Sequence, residues 1–469
     1  MTQQTVVRRG KPDHGQIHRP ARRPVRTVLV YAALVVLPVA AVAVFLAAGH
    51  ARSAIAAGHP AAASTVARLL LAVAVIVGVC AAVGVLCRRI GQPPVVGEIA
   101  TGIVLGPSVF GAVWPTGYGI LFAPLVTRQI DTLAQLGVVL FVFVAGLELS
   151  PRLLRGKGDV ALVVSHVSIA VPFLFGVALA VPAFPVFAPA HVGFLPFALF
   201  LGVSMSITAL PVMARILADR GMYRSHVGVV ALTSALVDDV TAWTMLVLVV
   251  AMTRGHTPGE VLAMIALTAT FAAAVLLVVP WTSARLGSRM EGTALLVPVS
   301  VGVALLCAAA TDRIGVHAIF GAFLLGIACP ADHPAFTAVR ERVGGITTTL
   351  LLPLFFAYSG LRTDLRSIGT DPRLWLWCVV ILAFATAGKL GAAALAARTI
   401  GVAWRPALSI GALMNCRGLT ELVILNVGLE LGVLNPSLFT IMVLMALGST
   451  AMTAPLLGLL GRVRSSQIA

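Results

Sequence analysis

Five charged residues lie deep within long apolar stretches of the sequence, and their types are those that could do chemistry. They are Asp238, Asp239, Lys389, Arg417 and Glu421. A charge near the middle of a bilayer costs roughly 2.5–3.5 kcal/mol even on a lenient scale, so charged residues in spans are rare and usually functional. We therefore expect these five residues to form or support a site for an ion or a proton.

The two adjacent aspartates, Asp238 and Asp239, lie far from both ends of their apolar run. Neighbouring residues of a helix point about 100° apart, so both carboxylates cannot face one small pocket in the same way. One could bind a cation in a water-filled cavity while the other pairs with a basic residue. Burial and a neighbouring like charge favour the protonated form of a carboxyl, which would allow proton-for-cation exchange near neutral pH. The alternative is a structural pair held by helix dipoles and serine hydroxyls.

The basic residues and Glu421 have supporting roles in this hypothesis. Lys389 is one of three lysines in the chain, and a buried ammonium needs a partner carboxylate; the alternative is a lysine that snorkels to the membrane surface. Arg417 and Glu421 are four residues apart, a spacing that allows an ion pair within one helix. Because arginine stays charged, we favour a structural role for this pair over proton transfer.

Two predicted spans are interrupted by residues that continue a helix poorly. The first contains Thr208 and Pro211, and the second contains Asn415 and Gly418. Paired broken helices in the two halves of a chain indicate a transporter site. The hydroxyl of Thr208 and carbonyls freed by Pro211 could help to coordinate a dehydrated monovalent cation.

The composition is that of an integral membrane protein. The chain has 469 residues, of which 59% are hydrophobic and 11% charged, whereas soluble domains carry about 25% charged residues. Apolar segments of the length that a spanning helix needs follow one another almost end to end. The net charge of +16 comes from cations in short loops, which set topology, so we expect no nucleic-acid partner. The six cysteines have neither disulfide-framework nor metal-site spacing.

The apolar runs predict an all-α polytopic protein with about 14 transmembrane helices. The cation distribution places both termini in the cytoplasm. The broken helices are seven helices apart, and this odd offset predicts two inverted six-helix repeats. The predicted domains are a basic N-terminal tail (1–26), an extra helix and loop (27–64), the exchanger membrane domain (65–460) and a short C-terminal tail (461–469). The predicted helices are 27–49, 65–87, 93–112, 131–149, 160–186, 194–217, 226–252, 259–282, 293–311, 315–329, 346–361, 374–397, 405–432 and 437–460.

Six stretches resemble the monovalent cation:proton antiporter superfamily, particularly the branch that includes plant cation/proton exchangers. They cover residues 92 to about 455 in the family's order. They are QPPVVGEIATGIVLGPS from Gln92, FVAGLE from Phe143, SITALPVMARIL from Ser206, DRIGVHAIFGAF from Asp312, LLPLFFAYSGL from Leu351 and MNCRGLTEL from Met414.

The resemblance implies a dimerisation domain and a mobile core whose broken helices cross beside an aspartate, in a homodimer that works by an elevator-like shift. Matched by motif, Asp239 would carry the metal cation and the proton, Asp238 would pair with Lys389, and Thr208 would neighbour the ion. Plant exchangers of this branch often have Asn in place of Asp238, so the Asp pair instead resembles the electrogenic bacterial type. Many relatives in the family carry cytosolic regulatory domains; we expect neither such domains nor nucleotide regulation here.

The predicted function is therefore secondary transport that exchanges Na⁺ or K⁺ for protons, in a bacterial cell membrane and without a cofactor. Proton-driven export of an organic compound by the same core is the alternative within transport. An intramembrane aspartyl protease needs two aspartates from different helices, whereas these are neighbours in one helix. A receptor or channel is disfavoured, because the sequence has neither a ligand-binding domain nor a selectivity-filter run. We expect a transporter and not an enzyme.

Overall fold

The computed structural model describes residues 65–148, 158–222, 225–254, 257–290, 295–330 and 334–461. The predicted N-terminal tail, the predicted helix 27–49 and residues 462–469 lie outside this range. Within it the chain is helical and contains no strand. Among these described residues, ten helices are long and apolar enough to cross a membrane, and two shorter apolar helices, Phe194–Ser206 and Ala318–Ala328, accompany them. The prediction of an all-α polytopic membrane protein is confirmed.

The helices are numbered here in chain order. In the first half they are α1 (Thr65–Arg89), α2 (Pro94–Leu105), α3 (Phe110–Val113), α4 (Pro115–Leu121), α5 (Pro124–Glu148), α6 (Gly158–Phe187), α7 (Phe194–Ser206), α8 (Leu210–Asp219) and α9 (His226–Arg254). In the second half they are α10 (Pro258–Met290), α11 (Leu296–Ile314), α12 (Ala318–Ala328), α13 (Pro334–Ile346), α14 (Leu352–Leu361), α15 (Pro372–Thr386), α16 (Ala392–Thr399), α17 (Trp404–Met414), α18 (Leu419–Glu430) and α19 (Pro436–Leu460).

Every predicted segment within the described residues overlaps a helix, but several boundaries were wrong. The predicted span 93–112 ends at Leu105, and a separate short helix follows from Phe110. The helix predicted to start at 346 starts at Pro334 and continues through a π-helical turn, 347–351, into α14. Arg340, Glu341 and Arg342 in its first turns hid this extension from a reading based on apolar runs.

Local sequence signals fix several helix starts. Asn435 precedes α19, and its side chain accepts a hydrogen bond from the backbone N–H of Leu438. Asp371 caps α15 in the same way through the N–H of Arg373. A proline follows each cap, at a position where a helix needs no N–H donor. These signals place the start of each helix at the sequence position that the polar cap dictates.

The helices form two groups by their contacts. The scaffold consists of α1–α5 and α11–α14; the core consists of α6–α9 and α15–α19. The long helix α10 follows the first half of the chain and packs on α11 and α12 as well as α9. This division assigns the broken helices, the adjacent aspartates and Lys389 to one group.

Glycines allow two close helix crossings within the scaffold. In the α2–α14 pair, a Cβ on Gly102 would collide with the backbone of Ala357. In the α5–α12 pair, a Cβ on Gly326 would collide with the carbonyl of Phe143, and one on Gly146 with the carbonyl of Phe323. Small residues let membrane helices approach backbone to backbone, where dispersion replaces the missing hydrophobic driving force. The scaffold is therefore built from two crossings of the same kind, each joining one half of the chain to the other.

The core contains the two interrupted helices, and their interruptions cross. Residues 207–209 separate α7 from α8, and residues 415–418 separate α17 from α18. The backbone N–H of Ala209 donates to the carbonyl of Cys416 at 2.9 Å, so the two breaks contact each other directly. A Cβ on Gly418 would lie 2.7 Å from the side chain of Val212, so this approach needs glycine. The predicted paired interruptions are confirmed.

Candidate ion-binding site

The two adjacent aspartates lie in the interior of α9. Asp238 is 1% exposed and Asp239 6% exposed. Helix α9 packs on α6, α7 and α17, which brings the middle of α9 to the crossing of the broken helices. The apolar composition of α9 explains its burial within the core, and the two carboxylates are the exception that needs compensation.

Asp238, the first of the two aspartates, accepts hydrogen bonds on both carboxylate oxygens. One oxygen of Asp238, Oδ1, accepts from the hydroxyl of Ser165 at 2.6 Å. The other, Oδ2, accepts from Lys389 Nζ at 2.8 Å and from Thr208 Oγ1 at 2.8 Å, with Ser168 Oγ farther away at 3.4 Å. A buried carboxylate is tolerated when such donors replace water. Asp238 is therefore fully occupied by the protein itself.

Lys389 reaches Asp238 from a widened helical turn. Residues 387–391 form a π-helical turn between α15 and α16, and the Lys389 side chain is 0% exposed. Such turns often occur at functional sites, because the extra residue re-aims a side chain. The alternative of a lysine that snorkels to the membrane surface is wrong, because its ammonium lies on Asp238 in the protein interior.

Asp239 differs from its neighbour in having a free acceptor. Its Oδ1 atom is buried and has no hydrogen-bond partner among the described residues. The side chain of Thr420, itself 4% exposed, lies beside the Asp239 carboxylate. Thr420 is the second residue of α18, immediately after the second break. A carboxylate oxygen and a hydroxyl of this kind are ligands suited to a hard cation.

Thr420 was not predicted as a site residue from the sequence, although the sequence contains a signal for it. A threonine follows Gly418 by two residues in the MNCRGLTEL stretch, where a new helix must start. Helix starts in a discontinuous helix face the transported species in many transporters. The hydroxyl at this position, together with the break, is the signal that would have identified it.

Thr208 lies at the first break but beside the other aspartate. Its hydroxyl is within hydrogen-bond distance of Asp238 Oδ2 and of the Met414 carbonyl, which is 3.2 Å away. Its geometry thus ties the first break to α17. Pro211 is the second residue of α8, in the first turn after the break, where the missing N–H costs no helical hydrogen bond.

Arg417 connects the two broken helices. Its guanidinium donates to the carbonyl of Ser204 at 3.1 Å and to that of Met205 at 2.6 Å, both in the last turn of α7. It also pairs with Glu421 Oε2 at 3.1 Å within its own helix region. Both side chains are completely buried. Carbonyls at the end of a helix lack hydrogen-bond donors in that helix. The guanidinium of Arg417 supplies the missing donors.

The last helix holds the second break from the other side. The backbone N–H of Arg417 donates to the Thr450 hydroxyl at 2.9 Å, and that hydroxyl donates to the Arg417 carbonyl at 2.6 Å. The side-chain amide of Asn415 donates to the Ser449 carbonyl at 3.2 Å. These bonds satisfy backbone groups that the interruption of the helix sets free. Ser449 and Thr450 carry no separate signal in the sequence.

The site offers few protein ligands. In the part of the chain that the structure describes, no three side chains of His, Cys, Asp or Glu come together as a metal site would require. Among the described residues of the broken helices and α9, the buried oxygens without a hydrogen-bond partner are Asp239 Oδ1, Ser204 Oγ, Asn415 Oδ1 and Glu421 Oε1. Asp239 also has the Thr420 side chain beside it.

Sequence comparison assigns the family. The model of the family described as "Sodium/hydrogen exchanger, transmembrane" matches residues 71–459. The chain belongs to the sodium/hydrogen exchanger family. It is 39% identical over 399 residues to the Na⁺/H⁺ antiporter NhaS4 of Synechocystis, covering 84% of this chain and 97% of that protein. The resemblance to cation:proton antiporters is thus confirmed.

Longer eukaryotic relatives match over the same region. Cation/H⁺ antiporter 17 of Arabidopsis thaliana is 36% identical over 83% of this chain and 48% of its own length. The K⁺/H⁺ antiporter 1 of Saccharomyces cerevisiae is 33% identical over 78% of this chain and 43% of its own length. The chain spans about half the length of these relatives.

A solved structure has the same fold at low sequence identity. The sodium proton antiporter MjNhaP1 of Methanocaldococcus jannaschii aligns with a TM-score of 0.63, at 12% identity, over 83% of this chain and 96% of that chain. This likeness concerns the fold. It supports a multi-pass membrane protein of the exchanger architecture.

Proposed function

We propose that the protein exchanges a monovalent cation, Na⁺ or K⁺, for protons across the membrane. The observation that carries the proposal is the contrast between the aspartates: Asp238 accepts bonds on both oxygens, whereas Asp239 keeps one buried oxygen without a partner. A buried carboxylate with a free oxygen needs either a proton or a cation. Relatives in the family are named Na⁺/H⁺ and K⁺/H⁺ antiporters.

Coupling follows from competition at one carboxylate. Asp239 holds a proton or a cation, and binding of one displaces the other. Thr420 would supply a neutral ligand to the cation, and water would complete its shell, since the transported ion must also leave. The Lys389–Asp238 pair would act as a fixed neighbour that holds α9 and α16 in register around the site. Arg417 and Glu421 would keep the broken helices together while the ion binds.

Transport requires that Asp239 reach each side of the membrane in turn. We propose an elevator-like movement of the core against the scaffold. The two halves of the chain would be inverted repeats in a protein of about 14 helices. The two glycine crossings support this, because α2–α14 and α5–α12 are the pairs that a twofold exchange of the halves would interconvert. We further propose a homodimer, which would anchor the scaffold.

The orientation follows from the cations. Arg88 and Arg220 lie at one end of the helix bundle, with Gly461 at the end of α19. The excess of Lys and Arg in the segments on this side favours the cytoplasm. We call it the inner end, and the opposite end, which carries Arg362 and Glu430, the outer end. Both termini would then be cytoplasmic, in a cell membrane.

The direct test is proton movement in liposomes that contain the purified protein and a pH-sensitive dye. Na⁺, K⁺, Li⁺ and Rb⁺ are added in turn after a proton gradient has been imposed. At least one ion should dissipate the gradient, and Asp239→Asn should remove that response. If no monovalent cation moves protons while an organic compound does, the exporter alternative replaces the exchanger.

A further inference from the structure

The outer end of the molecule has a series of polar contacts between scaffold and core. Asn426 of α18 donates from Nδ2 to Ser359 Oγ of α14 at 2.9 Å. Arg362, at the end of α14, donates from one nitrogen to Asn426 Oδ1 and to Glu430 Oε1, each at 3.3 Å. Asn426 and Ser359 are almost completely buried, whereas the Arg362–Glu430 pair is partly exposed.

Further polar contacts at this end join the first turn of α19 to the loop that follows α14. Ser437 Oγ, at the start of α19, donates to the Ser367 carbonyl at 3.0 Å. Ser367 Oγ lies 3.4 Å from the hydroxyl of Thr440. We call the seven residues the outer seam. They are Ser359 and Arg362 at the end of α14, Ser367 in the loop from α14 to α15, and Asn426, Glu430, Ser437 and Thr440 of the core.

In the described part of the chain, the boundary between scaffold and core contains a small cavity at this end. A cavity of about 40 Å³ is lined by Asp131 and Tyr358 of the scaffold and by Val423 and Val427 of the core. A larger depression nearby, about 520 Å³, is lined by scaffold residues alone. Among the described residues, the outer seam therefore bridges the narrow boundary along which an ion would have to enter from outside.

The inner end is different. A cavity of about 860 Å³ is lined by Arg88 and Gln92 of the scaffold and by Ile216, Arg220 and Leu457 of the core. Near it, among the residues that the structure describes, Gln92 Nε2 of the scaffold donates to the Ala451 carbonyl of the core at 3.1 Å, and Glu98 of the scaffold interacts electrostatically with Arg215 of the core. Over the described ranges, the cavity between scaffold and core is thus much larger at the inner end than at the outer end.

We propose that the outer seam is the outer gate of the transporter, and that the structure is its inward-facing state. The inference rests on the proposed function, because it takes the core as the moving part. Movement of α18 towards the outside would pull Asn426 and Glu430 away from Ser359 and Arg362. The seam's contacts would then be lost in the outward-facing state. Their strength would therefore set the equilibrium population of that state.

The test measures access to the narrow outer cavity. In a background without the six native cysteines, Val427→Cys places a thiol on a core residue that is 3% exposed and lines this cavity. A membrane-impermeant maleimide is applied from the outside of sealed vesicles, and the labelling rate is measured. Asn426→Ala combined with Arg362→Gln should raise the rate about tenfold, which is ~1.4 kcal/mol in the closed–open equilibrium.

Two controls separate gating from general loosening. Arg366→Gln removes an arginine whose ion pair, with Asp364, lies within the scaffold loop, so the labelling rate should not change. The charge exchange, Arg362→Glu combined with Glu430→Arg, rebuilds the ion pair in reverse. Its labelling rate should therefore lie closer to that of the parent than to that of the double variant. If the double variant labels no faster than the parent, or Arg366→Gln labels as fast as the double variant, the gate is elsewhere.

A cross-link provides a second readout. Ser359→Cys with Asn426→Cys should form a disulfide that fixes the seam, stop proton movement, and release it on reduction. Full transport with the cross-link in place would overturn the gate. Labelling does not depend on transport, so a protein that labels as expected but moves no protons with any cation would refute the proposed function and leave the gate intact.

Discussion

Asp238 and Asp239 are neighbours in one helix, yet the protein satisfies one carboxylate and leaves an oxygen of the other without a partner. Lys389, Thr208 and Ser165 all bind Asp238, whereas Asp239 Oδ1 has no partner in the described chain. The helical rotation between successive residues produces this difference. In the proposed function, the first residue has a structural task and the second is left for an exchangeable species.

Replacement of Asp239 by Asn should abolish cation-dependent proton movement while the protein remains folded. An amide fills the same volume but neither carries a proton in exchange nor neutralises a cation. Proton movement in liposomes is the measurement, with thermal unfolding in detergent as the folding check. Glu260→Gln is the matched control, because Glu260 is an exposed residue at the start of α10 and its loss should leave transport intact. Retained transport in Asp239→Asn would remove this residue from the mechanism.

Loss of Lys389 should destabilise the protein more than loss of both charges together. Lys389→Met leaves Asp238 buried without its ion partner, and breaking a buried pair typically costs about 3–5 kcal/mol. Asp238→Asn with Lys389→Met removes both charges and should be closer in stability to the parent. Chemical or thermal unfolding of the parent, both single variants and the double variant forms the cycle. Additive losses would mean that the two residues are not energetically coupled.

The sequence singled out the charged residues that the structure brings to the helix crossing, but it did not single out the polar residues around them. Charges such as Asp238, Lys389 and Arg417 are conspicuous in apolar runs, because their burial is costly and demands a partner. Ser165 and the seam residue Asn426 carry no such signal, since a hydroxyl or an amide in a membrane helix can bond to its own backbone. Their contacts depend on which helices pack together, and that information lies in tertiary structure.

The two close helix crossings in the scaffold could not be predicted from the sequence either. Glycine is frequent in membrane helices, so Gly326 is indistinguishable by composition from Gly302, although only the former meets another backbone. The charged turns of α13 were missed for the complementary reason, because they interrupt the apolar run without interrupting the helix. Hydropathy reports the environment of a residue and not the partner it meets.

Alanine substitutions at Gly326 and Gly302 should change the stability of the protein in opposite directions. Gly326→Ala should destabilise the protein by roughly 1–3 kcal/mol, the usual cost of overpacking, because its Cβ would collide with the Phe143 carbonyl. Gly302→Ala, in the helix α11 with open space around it, should be neutral or stabilising by up to about 1 kcal/mol. Thermal unfolding of the two variants in one detergent makes the comparison. Equal effects would mean that the α5–α12 crossing is looser than described.

Thr420 gives the sharpest test of the ion site, because valine and serine separate its hydroxyl from its shape. Thr420→Val keeps the volume and removes the oxygen beside Asp239; we expect the cation concentration for half-maximal exchange to rise roughly tenfold, or ~1.4 kcal/mol. Thr420→Ser keeps the oxygen and should stay close to the parent. Both are compared in the liposome assay across Li⁺, Na⁺, K⁺ and Rb⁺, because a lost ligand should affect the ions unequally. If the valine variant has the parent's affinity for every ion, Thr420 is not a ligand and water fills its place.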